Sequence, residues 1–139
     1  MEKVALIDLG SNTARLVIYE VLDGGYFVVS EERREAVRLG ETEPDGSLKQ
    51  TRIMQAIATL KSFKELCTIK NVDRILAVAT AAGRRASNQK TFLSDVYNAT
   101  GIRVTVVSEE EEAHYVYQGV INTMEIPRGL IMEIGGGST

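Results

Sequence analysis

Two segments of the sequence share one pattern: an apolar run, a carboxylate, an aliphatic residue, a glycine and a small polar tail. The first is VALIDLGSNT at residues 4–13, and the second is GLIMEIGGGST at residues 129–139. A buried strand that ends in an acid and a tight polar turn places backbone N–H groups beside a carboxylate. This arrangement suits a phosphate on the amides and a divalent cation on the acid. The repeat therefore predicts two related lobes that face one phosphate-bearing ligand.

The spacing of apolar residues predicts the order of strands and helices. Three strands joined by hairpins come first, and the first of them is an apolar run expected to be buried on both faces. Helices and strands then alternate, which indicates parallel crossovers. The predicted strands are residues 3–9, 14–22, 26–39, 75–78 and 102–107, and the predicted helices are residues 49–68, 88–100 and 108–123.

This order predicts an α/β fold, with a mixed five-stranded sheet and flanking helices. It is the order of the ribonuclease-H-like lobe in the actin, sugar kinase and Hsp70 group. Pro127 is expected to break the chain before a closing strand. We therefore expect residues 1–127 to form the ribonuclease-H-like lobe. Residues 128–139 would be the first strand and phosphate turn of a second lobe, with the chain ending where that lobe begins.

Composition excludes several classes of protein. With a net charge of −3, the chain as a whole does not attract nucleic acid or an anionic membrane electrostatically. Any bound anion must therefore be held by local groups. No apolar run approaches the roughly 20 residues of a membrane helix, and the apolar start before Asp8 is too short for a signal peptide. The single cysteine, Cys67, fits a reducing compartment and a place in a helical core. We expect a cytoplasmic protein that binds neither nucleic acid nor membrane.

The polar residues of the two repeated segments are the first candidate ligand-binding groups. Gly10, Ser11, Asn12 and Thr13 follow Asp8, and the residues after Glu133 and Ile134 are Gly135, Gly136, Gly137, Ser138 and Thr139. Each segment also has a simpler interpretation, an ordinary hairpin turn for the first and a flexible tail for the second. An acid at the end of a buried strand nevertheless calls for a cation or a fixed donor nearby.

Two further segments carry charges where ligands bind in α/β sheets. Arg84 and Arg85 follow the strand at residues 75–78 and precede a helix. Their positive charges are unfavourable near the positive N-terminus of that helix unless an anion binds there. They could instead be solvated surface residues. Ser108 and Glu111 form a capping-box pattern within a run of four glutamates. One glutamate outside the cap could face the ligand, and the spacing does not indicate which.

Together these segments resemble the N-terminal lobe of the exopolyphosphatase/guanosine pentaphosphate phosphatase family. The resemblance extends over the whole chain and keeps the family order. It is carried by residues 8–13 with Arg15 and Leu16, by residues 79–81 with Arg84 and Asn88, by residues 108–113 with Tyr117, Gly119 and Val120, and by residues 134–139.

The resemblance implies a role for each matching residue. Glu112 would be the general base that deprotonates the attacking water, and Arg84 would grip the phosphate. The turns at residues 10–13 and 135–139 would be two phosphate-binding loops. Asp8 would be the first acid associated with Mg²⁺. Glu133 matches the second acid, where the family usually has aspartate, and its extra methylene is expected to disturb the near-octahedral geometry of Mg²⁺.

Three hypotheses for function follow. The first is a hydrolase that releases terminal phosphate from inorganic polyphosphate or guanosine pentaphosphate. The second, motivated by Glu133, is a non-catalytic regulator that binds phosphate or a phosphorylated guanosine nucleotide. The third is an ATP-dependent kinase or ATPase of the same superfamily, against which the setting of Glu112 and Arg84 argues. The 139-residue chain by itself is expected to be almost inactive, and exposed surface would favour self-association, for example as a homodimer.

Overall fold

The computed structural model describes residues 1–125 and 128–139. Within these residues the chain forms five strands and four helices. The strands are β1 (Glu2–Leu9), β2 (Thr13–Val21), β3 (Phe27–Ala36), β4 (Arg74–Ala79) and β5 (Val104–Val106). The helices are α1 (Gln50–Ile69), α2 (Ala81–Arg85), α3 (Gln89–Thr100) and α4 (Glu109–Ile121).

The five strands form one mixed sheet in the order β3-β2-β1-β4-β5. β1, β2 and β3 pair antiparallel through the two predicted hairpins, whereas β4 and β5 are parallel to β1. Leu9 pairs with Ala79, which in turn pairs with Val106. The carboxyl ends of three strands therefore meet at one edge of the sheet, and the segments that follow them start side by side.

One face of β1 is buried and its other face is largely accessible, which differs from the expectation that both faces of this strand would be buried. Ala5, Ile7 and Leu9 are at most 1% exposed, whereas Leu6 is 42% exposed. Leu76, opposite Leu6 on β4, is 43% exposed. Successive side chains of a strand point to opposite faces. The continuous apolar run of β1 thus contributes its odd-numbered residues to the core and leaves Leu6 accessible.

The core lies between the buried face of the sheet and the helices α1 and α3. The predicted apolar stripe of α1 is confirmed, and it includes Cys67, which is 2% exposed. Phe92 and Val96 of α3 are fully buried in the same cluster. Gly101 ends α3 in the left-handed conformation with φ 70°, as its position predicts. None of the helices in the described part of the chain combines the length and apolar character needed to cross a bilayer.

Helix α2 is not among the predicted elements. It has five residues, too few to show a helical period, and the sequence indicated a loop there. Gly83 lets this helix approach β4 closely, since a Cβ at residue 83 would lie 2.9 Å from Cβ of Ala79. The helix places Arg84 and Arg85 in its last turn.

Helix α4 begins as predicted. Ser108 accepts a hydrogen bond from the Glu111 amide at 3.1 Å, and the Ser108 amide donates to Glu111 Oε2 at 2.7 Å. This capping box satisfies donors at the start of the helix. No residue of α4 is buried, so the helix is fixed mainly at its first turn.

The final segment contains no strand among residues 128–139, although the sequence predicted one after Pro127. No strand in the described part of the chain pairs with this segment, and nearly all of its side chains are exposed. The predicted break at Pro127 lies outside the described residues. The division into a first lobe and the start of a second lobe stays a prediction.

Candidate active site

A cavity of about 260 Å³ opens at the edge where β1, β4 and β5 end. It brings together eleven of the thirteen residues that the sequence proposed for the site. The remaining two, Arg84 and Thr139, do not line it. The lining residues are Asp8, Gly10, Ser11, Asn12, Thr13, Thr80, Glu112, Glu133, Gly135, Gly136, Gly137 and Ser138.

The first wall of the cavity is the hairpin turn between β1 and β2. The Gly10 amide donates to the Thr13 carbonyl at 3.0 Å and closes the turn. Within the described part of the chain, the amides of Ser11 and Asn12 donate no hydrogen bond. A turn with unused N–H groups is a ready site for an anion.

The second wall is the terminal turn, which repeats this geometry 125 positions later. The Gly135 amide donates to the Ser138 carbonyl at 2.9 Å, and the amides of Gly136 and Gly137 also donate to no described acceptor. The two turns are in contact, because a Cβ on Gly136 would lie 3.1 Å from Asn12 Cβ. The repeat seen in the sequence is therefore a pair of facing turns with the same closing hydrogen bond.

Asp8 lies at the floor of the cavity on the accessible face of the sheet. This differs from the buried position that the sequence suggested, because residue 8 alternates with the buried Ile7 and Leu9. The walls of the cleft remove part of its hydration and raise the pKa of the Asp8 carboxyl, and the negative charges of Glu112 and Glu133 raise it further. Arg15, the neighbour of Asp8 across the β1–β2 ladder, acts in the opposite direction.

Glu112 and Arg84 form an ion pair at the side of the cavity. Arg84 Nη1 donates to Glu112 Oε2 at 3.0 Å and to the Val107 carbonyl at 2.8 Å. The Ser138 hydroxyl is 3.4 Å from Glu112 Oε1. Glu112 therefore has one oxygen held by the arginine and the other directed toward the terminal turn.

The structure assigns the four glutamates of α4 to separate positions. Glu111 belongs to the capping box, and Glu112 is the one that lines the cavity. Glu109 lies 3.6 Å from Arg84 Nη2 and 4.0 Å from Arg85 Nη2. Glu110 is exposed. The glutamate that the family resemblance selects is thus the one beside the turns.

The two arginines of α2 differ in their surroundings. They precede α3, as the sequence predicted, but they also lie in the last turn of α2, where the helix dipole favours their charge. The unpredicted helix α2 therefore weakens the sequence argument for an anion at this position. The Arg84 side chain is 17% exposed, and its buried Nε and Nη2 atoms have no hydrogen-bond acceptor among the described residues. Arg85 is 63% exposed and donates to the Gly137 carbonyl at 3.0 Å.

Two carboxylates of the cavity are of the ligand type that Mg²⁺ takes, and water and substrate would have to supply the remaining ligands. No group of three or more carboxylate, imidazole or thiol side chains among the described residues is arranged as a metal site. Asp8 and Glu133 nevertheless line the same cavity, and the negative charge of Glu133 contributes to the raised pKa of Asp8. Mg²⁺ is commonly held by one or two carboxylates together with waters and substrate phosphates.

Sequence reasoning assigned no role in the site to three residues of this region, although Thr80 lies in one of the segments that carry the family resemblance. Thr80 lines the cavity because it follows β4 at the same edge, and its position at a strand end was the available signal. Arg38 and Gly40 line a second cavity that adjoins the first. No pattern in the sequence connects them to the turn at residues 10–13, which lies far away along the chain.

Comparisons with known proteins agree with this fold. The sequence model of the Ppx/GppA phosphatase family matches residues 17–139. A candidate exopolyphosphatase of Haemophilus influenzae is 30% identical over the whole of this chain, which covers 43% of that protein. The Aquifex aeolicus member of the Ppx/GppA family superposes with a TM-score of 0.80 at 38% identity, over 85% of this chain and 39% of the other.

A further solved structure, an exopolyphosphatase from Cytophaga hutchinsonii, has a TM-score of 0.80 at 25% identity and covers 85% of this chain and 38% of the other. The chain thus spans about two fifths of the length of these three relatives. The predicted five-stranded α/β lobe of actin-like ATPase type is confirmed. Since the family match covers most of the chain and the neighbours share its fold, the chain belongs to the Ppx/GppA phosphatase family.

Proposed function

We propose that the protein containing this chain hydrolyses the terminal phosphoanhydride bond of inorganic polyphosphate, of guanosine pentaphosphate, or of both. The observation that carries the proposal is the position of Glu112 beside two facing turns with unused amides. Those amides suit the oxygens of a terminal phosphate, and a carboxylate directed at that position suits a water molecule.

In the proposed reaction, the two turns hold the terminal phosphate and Glu112 orients a water molecule toward its phosphorus. The water oxygen forms a bond to phosphorus, and Glu112 accepts the water proton. The bond between phosphorus and the bridging oxygen breaks, so orthophosphate and a chain shortened by one phosphate are released. Such transfers depend mainly on positioning and on neutralising the charge of the phosphoryl oxygens.

Arg84 contributes to this reaction by orienting Glu112. The guanidinium is itself fixed by the carbonyl of Val107, the residue that follows β5. Its Nε and Nη2 atoms, which have no hydrogen-bond acceptor among the described residues, are donors that a phosphoryl oxygen could use after a small movement of the side chain. We propose Asp8 and Glu133 as the carboxylates that would hold Mg²⁺, which when bound supplies positive charge to the phosphate oxygens.

The function is tested with a Glu112→Gln substitution in the longest polypeptide that contains this chain, because the chain spans about two fifths of its relatives. Phosphate release is measured from polyphosphate and from guanosine pentaphosphate, alongside equilibrium binding of each. We expect a loss of turnover of about 10²–10⁴-fold with retained binding. Glu110→Gln, on the same turn of α4 but exposed, is the matched control.

Unchanged phosphate release in Glu112→Gln would contradict the assignment of the base. A wild-type protein that binds the ligand without releasing phosphate would support the second candidate function, a phosphate- or alarmone-binding regulator. Glu133, which is longer than the usual family aspartate, is the observation that favours this alternative. The 139-residue chain is assayed in parallel and is expected to release little phosphate. The cytoplasmic location stays a prediction.

A further inference from the structure

A second cavity of about 350 Å³ adjoins the candidate active site. Both cavities are lined by Ser11 and Asn12 of the first turn and by Gly136 of the terminal turn. A ligand held by the turns can therefore extend from one cavity into the other. The residues lining the second cavity are Ser11, Asn12, Arg38, Gly40, Glu41 and Gly136.

The loop after β3 fixes this second cavity relative to the first turn. The amides of Val37 and Arg38 both donate to the Asn12 carbonyl at 2.9 Å, and the Gly40 amide donates to the Ser11 carbonyl at 2.7 Å. Gly40 must be small, because a Cβ there would lie 3.2 Å from Ser11 Cβ. The backbone of Arg38 is consequently held in place beside the turn.

Arg38 adopts a left-handed backbone conformation with φ 51°. This conformation is uncommon for residues other than glycine, asparagine and aspartate, and it costs conformational energy in an arginine. Such strain concentrates at functional positions, where the surrounding structure maintains it. In this loop the three hydrogen bonds to Ser11 and Asn12 maintain it.

The guanidinium of Arg38 is free to bind an anion. The carboxylate oxygen nearest to it among the described residues is Oε1 of Glu41, at 3.9 Å, and the Arg38 side chain is 58% exposed. Glu41 is engaged elsewhere, since Arg52 Nε donates to its Oε2 at 2.9 Å. Arg52 therefore balances the negative charge of Glu41, and Arg38 leaves the cavity with an excess positive charge.

We propose that Arg38 binds the second phosphate of the substrate, the one linked through the bridging oxygen to the terminal phosphate. This inference rests on the proposed function, because it assumes that the turns hold the terminal phosphate. Consecutive phosphates share one oxygen, so the neighbour of a phosphate at Ser11 and Asn12 must lie in an adjoining space. The second cavity is such a space, and Arg38 is its available cation.

The chemistry of arginine agrees with this occupant. A guanidinium presents a planar set of donors that matches two oxygens of one phosphate. A phosphomonoester, which has no second phosphate, would gain nothing from Arg38. The site would therefore select phosphoanhydride chains over phosphomonoesters, whether the chain is inorganic or part of a nucleotide.

The experiment measures binding, so that it does not depend on turnover. Tripolyphosphate and orthophosphate are titrated by calorimetry into wild-type protein and into Arg38→Asn. Asparagine accepts the left-handed backbone, which preserves the loop while removing the cation. We expect the affinity for tripolyphosphate to fall about tenfold in Arg38→Asn, with the affinity for orthophosphate changed less than about twofold.

Two further variants separate this effect from general charge loss. Arg74→Asn removes an arginine of similar exposure, 61%, at the opposite end of the sheet, and should leave both affinities unchanged. Arg38→Lys keeps the charge without the planar donors and should give an intermediate loss. A parallel titration with guanosine pentaphosphate shows whether the phosphates of a nucleotide lose affinity in Arg38→Asn as the inorganic chain does.

Unchanged tripolyphosphate affinity in Arg38→Asn would overturn the inference, as would an equal loss for orthophosphate or in Arg74→Asn. The proposed function fails by a different result, namely unchanged phosphate release in Glu112→Gln. A protein that loses tripolyphosphate affinity in Arg38→Asn but keeps its turnover in Glu112→Gln would support this binding site while contradicting the proposed base.

Discussion

Gly137 of the terminal turn lies directly against Ser11 of the first turn, so closely that a Cβ at residue 137 would collide with the Ser11 hydroxyl oxygen. The two residues are 126 positions apart in the chain, yet they close the same cavity. The absence of a side chain at residue 137 is what allows the two sets of amides to face one space. This contact links the two halves of the repeated sequence pattern.

The first prediction concerns this contact. Gly137→Ala should push the terminal turn away from Ser11 and weaken tripolyphosphate binding by about tenfold, measured by calorimetry. The free energy of unfolding should be nearly unchanged, because the terminal residues contribute nothing to the described core.

Gly119→Ala is the matched control for Gly137→Ala. Among residues 1–125 and 128–139, no atom lies within 4 Å of a Cβ built on Gly119, which is exposed in α4. It should stabilise that helix by about 0.5–1 kcal/mol, since alanine loses less backbone entropy than glycine. Equal binding losses in the two variants would contradict a specific role for the Gly137–Ser11 contact.

The second prediction concerns Arg84. Arg84→Gln should lower kcat by about 10²-fold, because it removes the donor that orients Glu112. It should also cost about 1–3 kcal/mol of unfolding free energy, because the Val107 carbonyl and the Glu112 carboxylate lose their partner. Kinetics and urea unfolding are measured on the same samples.

Arg34→Gln provides the comparison for Arg84, since Arg34 is a 64% exposed arginine on β3. Surface ion pairs of this kind contribute about 0–1 kcal/mol, so both readouts should change little. If Arg84→Gln lost stability but kept wild-type kcat, Arg84 would be a structural residue without a role in the reaction.

The third prediction concerns the acid of the terminal turn. If Glu133 holds Mg²⁺, then Glu133→Asp should reduce the Mg²⁺ concentration that gives half-maximal phosphate release, by about tenfold. The shorter side chain restores the carboxylate position that the family usually has, and the geometry of Mg²⁺ tolerates little displacement. Removal of divalent metal by EDTA should abolish turnover in both forms.

Glu110→Asp shortens an exposed glutamate of α4 and serves as the control for Glu133→Asp. Its Mg²⁺ dependence should match that of the wild-type protein. The same dependence in Glu133→Asp would contradict the prediction that the length of Glu133 weakens Mg²⁺ binding, and turnover that persists in EDTA would contradict a requirement for divalent metal.

The fourth prediction concerns pH and Cys67. Burial raises the pKa of the Cys67 thiol, so the folded protein keeps the thiol neutral at a pH where the unfolded chain ionises it. The neutral thiol makes its full contribution to the unfolding free energy when the pH is below the pKa that the thiol has in the unfolded chain, about 8.5. This contribution is lost as the pH rises above that value and through the higher pKa of the folded state. The unfolding free energy measured in urea should therefore decrease from pH 8 to pH 10.

Cys67→Ala tests the source of this decrease, because a variant without a thiol should lose less stability over the same range. Alkylation by iodoacetamide at pH 8 should be slow in the folded wild-type protein and fast in urea. Rapid alkylation under native conditions would contradict the buried position of Cys67.

Much of the fold could be predicted from local patterns. The stripe that includes Cys67 predicted α1, Gly101 predicted the end of α3, and Ser108 with Glu111 predicted the capping box, because each signal lies within a few residues of its effect. The helix α2 could not be predicted, since five residues carry no period. The exposure of Leu6 could not be predicted either, because a continuous apolar run does not reveal how many faces of a sheet are covered.

The amino-acid sequence by itself determined the two acid–glycine turns and the placement of Glu112 in the first turn of a helix that follows a strand. The tertiary structure alone decided that these groups meet, because the parallel pairing of β1, β4 and β5 brings three strand ends to one edge. It also brought Arg38 beside Asn12, through hydrogen bonds between segments far apart in the chain. Local sequence patterns encode turns and helix starts. The meeting of distant residues in one site depends instead on strand register, which only the packed sheet defines.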